Sequence, residues 1–108
     1  MESLNRFYVL GTIVSKPVKC MAVIGKARVP KITLELEEKR APGRPYASVY
    51  QVELMGEATQ ELYEGENVGS EVIAVGNLCG RKGKDGRYVV TLQAKRLIYN
   101  SHKSMEEK

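Results

Sequence analysis

The sequence predicts an all-β domain, and three observations predict it. Short apolar stretches alternate with glycine and proline punctuation. Those stretches are rich in valine, isoleucine, threonine and tyrosine, which suit a pleated, half-buried surface. Only one segment, Ala58 to Glu64, suits a helix. At 108 residues the chain has room for one domain around one modest core. We assign that domain to residues 1–100 and a short polar tail to 101–108.

The elements follow in order. Arg6 to Val14 reads as a first strand, stopped at Lys16-Pro17 because proline lacks a ladder donor and restricts the residue before it. Val18 to Ile24, Gly25-Lys26 and Ala27 to Glu38 read as a hairpin. In its second arm Ile32, Leu34 and Leu36 alternate with Lys31, Thr33, Glu35 and Glu37, giving one buried and one wet face. Residues 39–45 hold two prolines, a glycine and three cations, so they form a loop. Ala47 to Met55 is the next strand, with Tyr50, Val52 and Leu54 on one face.

After the short helix, glycines 65 and 69 lead into a strand from Glu71 to Leu78. Residues 79–87 read as a loop with a turn at Asp85-Gly86, and Tyr88 to Ile98 is the last strand. Three strands, a helix and two strands fit a five-stranded Greek-key barrel, the order of an OB-fold. A small antiparallel sandwich is the alternative on pattern alone.

Composition bounds the function. Apolar residues make up 43% of the chain, an ordinary globular share. The formal charge of +4 permits a polyanionic partner without demanding one. Cys20 and Cys79 form no Cys-x-x-Cys pair, and with His102 they are too few for a zinc site. No apolar run approaches the roughly 20 residues of a membrane span. The polar start Met1-Glu2-Ser3 carries no signal-peptide pattern. There is no phosphate loop, no His-Glu-x-x-His and no serine elbow. The expectation is a cytoplasmic, reduced, non-catalytic protein without cofactor or metal.

Several motifs then carry a resemblance. Leu4-Asn5-Arg6-Phe7-Tyr8-Val9-Leu10-Gly11 followed by Lys16-Pro17, then Lys31-Ile32-Thr33-Leu34, then Leu54-Met55-Gly56 spaced to Gly69-Ser70, Val75-Gly76-Asn77-Leu78 and Lys84-Asp85-Gly86-Arg87-Tyr88 resemble the bacterial single-stranded DNA-binding (SSB) proteins in order and spacing. The likeness spans residues 4–99. Two departures stand out. Val49, Met55 and Gly83 occupy places where SSB proteins carry base-stacking aromatics, and the chain has no tryptophan. The segment ending Ser104-Met105-Glu106-Glu107-Lys108 lacks the family's long linker and acidic tip. Both departures resemble the tail-less PriB branch of the superfamily. The resemblance implies an OB-fold homodimer that binds single strands mainly through basic side chains in replication or replication restart, with other primosome proteins as further partners.

The candidate contacts follow from that reading. Arg81, Lys82, Lys84 and Arg87, ending at Tyr88, put cations on a glycine-rich arm that could follow a phosphate backbone. Lys39, Arg40 and Arg44 form a second cluster, with Tyr46 beside them as a stacking ring; Tyr50 shares a face with core residues. Lys16, Lys19, Lys26 and Arg28 extend the path along the first hairpin. Plain solubility explains polar loops and a solvated strand face equally well. Asn5 and Arg6 are placed to touch nucleic acid or a symmetry mate. The resemblance implies that Phe7, Tyr8 and Val9 carry a dimer interface along the first strand. Two other readings stay open: an RNA-binding OB domain, and an OB-fold adaptor that contacts proteins only.

Overall fold

The alternating stretches become strands in the computed structural model, which describes residues 5–39, 42–63 and 68–100. Six strands result: β1 (Phe7–Ile13), β2 (Val18–Ile24), β3 (Ala27–Glu38), β4 (Val49–Met55), β5 (Glu71–Lys82) and β6 (Tyr88–Tyr99). They lie in the order β1-β5-β6-β4-β3-β2. β1 also pairs with β3, at Gly11↔Glu38, Thr12↔Glu37 and Ile13↔Leu36, which closes the sheet into a barrel. Only β4 and β6 run parallel, in register at Val52↔Leu92. This is the OB-fold expected from the order of elements. The extra strand is the first arm of the predicted hairpin, which pairs with β3 along its whole length.

The core is the inward period-two face of each strand. Ile13, Leu34, Leu36, Val52, Leu54 and Val72 are its largest fully buried side chains. Val9, Tyr50, Ala58, Leu62 and Tyr99 pack against it from the margins. Pro30 sits inside β3 without breaking the ladder. Glu35 bonds towards β1, so the even-numbered residues of β3 face β4; β4 ends opposite Lys31, and the missing Pro30 donor faces no strand.

Two expectations are corrected. The predicted helix over Ala58–Glu64 is a 3-10 helix over Gly56–Glu61. Thr59 donates its hydroxyl to the Gly56 carbonyl at 2.7 Å, tightening an i to i+3 turn too short for α-helical nucleation. The predicted loop over 79–87 begins as strand over 79–82, because β5 and β6 pair as far as Lys82↔Tyr88. Here the arm leaves the barrel and is wet on both faces, so the alternation that reveals a strand disappears. Only residues 83–87 turn, with Gly86 at φ 84° as the Asp-Gly signal requires. None of the helices among the described residues is long and apolar enough to cross a membrane.

Two glycines let backbones approach where any side chain would collide. A β-carbon at Gly11 would lie 2.4 Å from the Glu37 carbonyl oxygen, and one at Gly76 would lie 1.9 Å from that of Gln93. Gly76 also sits at the register shift between β5 and β6. Gly76→Ala is therefore expected to destabilise the protein by about 3 kcal/mol, the upper range for overpacking. Gly80→Ala, whose methyl would come no closer than 4.0 Å to any neighbour, should stay within about 0.5 kcal/mol of the parent. Urea denaturation midpoints check the pair, and equal losses would refute the steric account.

Candidate functional site

The hairpin β2–β3 and the hairpin β5–β6 both extend past the barrel, and the outer sheet surface between them forms a groove of about 430 Å³. Its lining follows from strand alternation. β3 contributes Lys31, β4 contributes Glu53 and Met55, β6 contributes Thr91 and Gln93, and β5 contributes Cys79 and Arg81. Ala22, Val23 and Ile24 of the first arm make the opposite wall. Inside, Lys31 Nζ stands 3.5 Å from Glu53 Oε2, with the lysine side chain 28% exposed and the carboxylate 14%. The groove therefore holds two cations and one partnered anion.

The tips of both arms are shaped by glycine. Gly25 at φ 62° opens the two-residue turn between Ile24 and Ala27 and puts exposed Lys26 at one rim, whereas exposed Arg28 shares the face of Pro30 and Ile32 and turns away from Lys31. At the other rim the Gly83 N–H donates to the Arg87 carbonyl at 2.7 Å, and Asp85 accepts from the Arg87 N–H at 3.0 Å. The Arg87 side chain also lies 3.8 Å from Asp85, so its charge is partly answered within the turn. Lys84 is exposed beside it.

No family model matches the sequence. No curated protein matches it either. Solved structures do. The SSB domain of a Synechococcus sp. protein aligns with TM-score 0.66 and 19% identity, over 91% of this chain and 98% of that one. The second single-stranded DNA-binding protein of Mycobacterium smegmatis aligns with TM-score 0.66 and 17% identity, over 92% and 91%. The dimeric N-terminal domain of PriB from Thermoanaerobacter tencongensis aligns with TM-score 0.64 and 16% identity, over 91% and 98%. The fold is that of the SSB-type OB domain.

On this SSB-type scaffold the predicted residues separate. Arg81 lines the groove, whereas Lys82 and Tyr88, one residue away on paired strands, occupy the opposite face of the arm. There the Lys82 ammonium lies 5.9 Å from the Tyr88 ring centroid, and the ring is 79% exposed. Lys19 lines a separate hollow with Met21, Pro30 and Thr59, and Lys16 is exposed ahead of β2.

The second predicted cluster stands elsewhere. Lys39 and Arg44 lie at the far end of β3 and β4, about 26 Å along the strand from Lys31 at roughly 3.3 Å per residue. Lys39 Nζ is 3.9 Å from Glu71, and Tyr46 is 72% exposed; Arg40 lies outside the described residues. Between groove and cluster, the outer face of β3 presents exposed Glu35 and Glu37.

The residues expected at an interface also divide. Asn5 acts as one more rung of the β1–β5 ladder: its Nδ2 donates to the Leu78 carbonyl at 2.7 Å and its Oδ1 accepts from the Leu78 N–H at 2.8 Å. Asn77 closes the loop by donating to the Asn5 carbonyl. Phe7 is buried in the core and Val9 packs against it, while Tyr8 is 66% exposed and Arg6 is exposed. Sequence reasoning missed Lys31, Glu53 and Gln93 as site residues. The one signal available was that they fall on the wet face of strands already identified.

Tyr50, assigned to the core face, donates its hydroxyl to Glu38 Oε1 at 2.9 Å. That hydrogen bond, then burial and the glutamate charge, raise the phenol above its ordinary pKa. A raised phenol contributes stability that is present below about pH 10 and lost as pH rises through the folded value. Tyr50→Phe should cost about 1 kcal/mol at neutral pH and flatten the loss of stability above about pH 10. Urea midpoints measured across that alkaline range check it; an unchanged slope would refute it.

Proposed function

We propose that this protein binds single-stranded nucleic acid, DNA in the first place, without catalysis, by laying the strand across the groove between the two arms. The observation that carries the reading is the groove itself. Lys31 and Arg81 line it on an SSB-type fold, and exposed Lys26, Lys84 and Arg87 stand in or beside the turns of the two arms. Cations on arms beyond the barrel can follow a backbone of unfixed path, and each phosphate contact releases condensed counterions. Glu35 and Glu37 disfavour a path along β3 towards Lys39 and Arg44, so the strand crosses β3, β4, β6 and β5 instead. Lys39, Arg44 and Tyr46 then serve a longer strand that wraps the barrel end. Replication or replication restart is the setting that the likeness to PriB supports.

A homodimer belongs to the same reading. Tyr8 and Leu10 present exposed apolar side chains on β1, and the likeness to a dimeric PriB domain supports an interface along that strand. Sedimentation should show a dimer for the parent and a monomer for Tyr8→Lys; a parent that sediments as a monomer refutes this part.

Fluorescence anisotropy with a labelled mixed-sequence single strand tests the central claim. Binding should exceed that of duplex, and log K against log[salt] should slope about −3 to −4 for four to six phosphates, at about −0.7 each. Arg81→Ala should weaken binding several-fold more than Lys82→Ala, because only Arg81 faces the groove. A flat salt dependence, or equal losses from the two variants, would overturn the proposed path. No binding even at low salt would mean an adaptor that contacts proteins. Tighter binding of RNA than of DNA of one sequence would assign RNA as the ligand.

A further inference from the structure

The floor of the groove carries a carboxylate where a polyanion is expected to lie. Glu53 sits at its centre, held by Lys31 at 3.5 Å. Its register partners are Thr33 on β3 and Gln93 on β6. Gln93 and Glu53 both line the groove, and among the described residues no aromatic side chain does so. The floor therefore offers hydrogen-bonding groups in place of stacking platforms.

A carboxylate facing phosphates would be repelled, and it is fixed in place by the cation beside it. It only accepts hydrogen bonds, and base edges supply donors for it. Cytosine presents its N4 amino group and adenine its N6 amino group, whereas thymine has two carbonyls beside a single ring N–H. A single strand exposes these edges because its bases are unpaired. With phosphates drawn to the rims, the bases point to the floor.

We propose that Glu53, with Gln93 next to it, reads base edges and makes the groove favour amino-bearing bases over thymine. This rests on the nucleic-acid reading above and adds to it a determinant of base preference. The carboxylate accepts from the exocyclic amine. Gln93 offers both an acceptor and a donor, so it complements the neighbouring ring nitrogen or carbonyl. Thymine meets the carboxylate with a carbonyl and loses that contact.

Competition between the homopolymers oligo(dC), oligo(dA) and oligo(dT), read by anisotropy against the labelled mixed-sequence strand, tests it. The parent should bind oligo(dC) and oligo(dA) about tenfold more tightly than oligo(dT), within the range of one good base contact. Glu53→Gln should raise oligo(dT) affinity and narrow that gap, because an amide both donates and accepts. Gln93→Ala should narrow it as well, without touching the Lys31 pair. Equal affinity of the parent for all three homopolymers would overturn the proposal. So would a Glu53→Gln variant that binds all three more tightly by one common factor, which is the mark of simple charge repulsion. If the mixed-sequence strand itself does not bind, the nucleic-acid reading fails and this one falls with it, a result distinct from equal homopolymer binding.

Discussion

β1 serves two neighbours at once, and the rest of the architecture depends on that. Its first half pairs with β5, and its second half pairs with β5 on one side and β3 on the other. The change happens at Gly11, where the Glu37 carbonyl comes closer than a methyl group could tolerate. Opposite, the register shift at Gly76 lets β5 and β6 bend over the core. Closure buries Ile13, Leu36 and Val72 together, which couples the two halves of the chain into one core. Without it the sheet would keep two open edges and a half-covered apolar face.

Closure also fixes what is left over. A barrel of this circumference uses only part of β3, β5 and β6, so their remaining lengths stand out as two arms. The outer surface of the barrel between the arms becomes concave without any residue having been selected to make a pocket. Which side chains enter it is then a matter of parity. Arg81 and Cys79 face in, and Lys82 and Tyr88 face out, because a strand turns alternate residues to opposite sides. A shift of one residue in the β5–β6 register would exchange the two sets.

The fold was largely legible in the sequence because half-buried strands alternate and glycine and proline mark their ends. Ile32, Leu34 and Leu36 announce β3 by period two, and Asp85-Gly86 announces its turn. Legibility failed where both faces are wet. Residues 79–82 carry no alternation, and their strand state depends on pairing with residues 88–91, a contact that local sequence does not encode. The short helix was legible in its place but not in its type: composition cannot separate one α-turn from a 3-10 turn, and here the Thr59 hydroxyl selects the latter. The site was only half legible. Loops rich in arginine and lysine draw attention, yet Lys31, Glu53 and Gln93 meet only through registers across three strands.

The charge of the molecule gains meaning only through that geometry. A net +4 is a weak attraction when spread over a surface. Here the acidic outer positions of β3, Glu35 and Glu37, divide the cations into a groove set and a far-end set. Glu53 extends that acidic stripe onto β4, but unlike the others it is shielded and held by Lys31. Exposed glutamates steer phosphate away, and a shielded one with little water around it can accept a hydrogen bond from something neutral. Under the proposed reading the same residue type therefore repels backbone at two positions and suits a base at a third, and the difference lies in burial and partner rather than in charge.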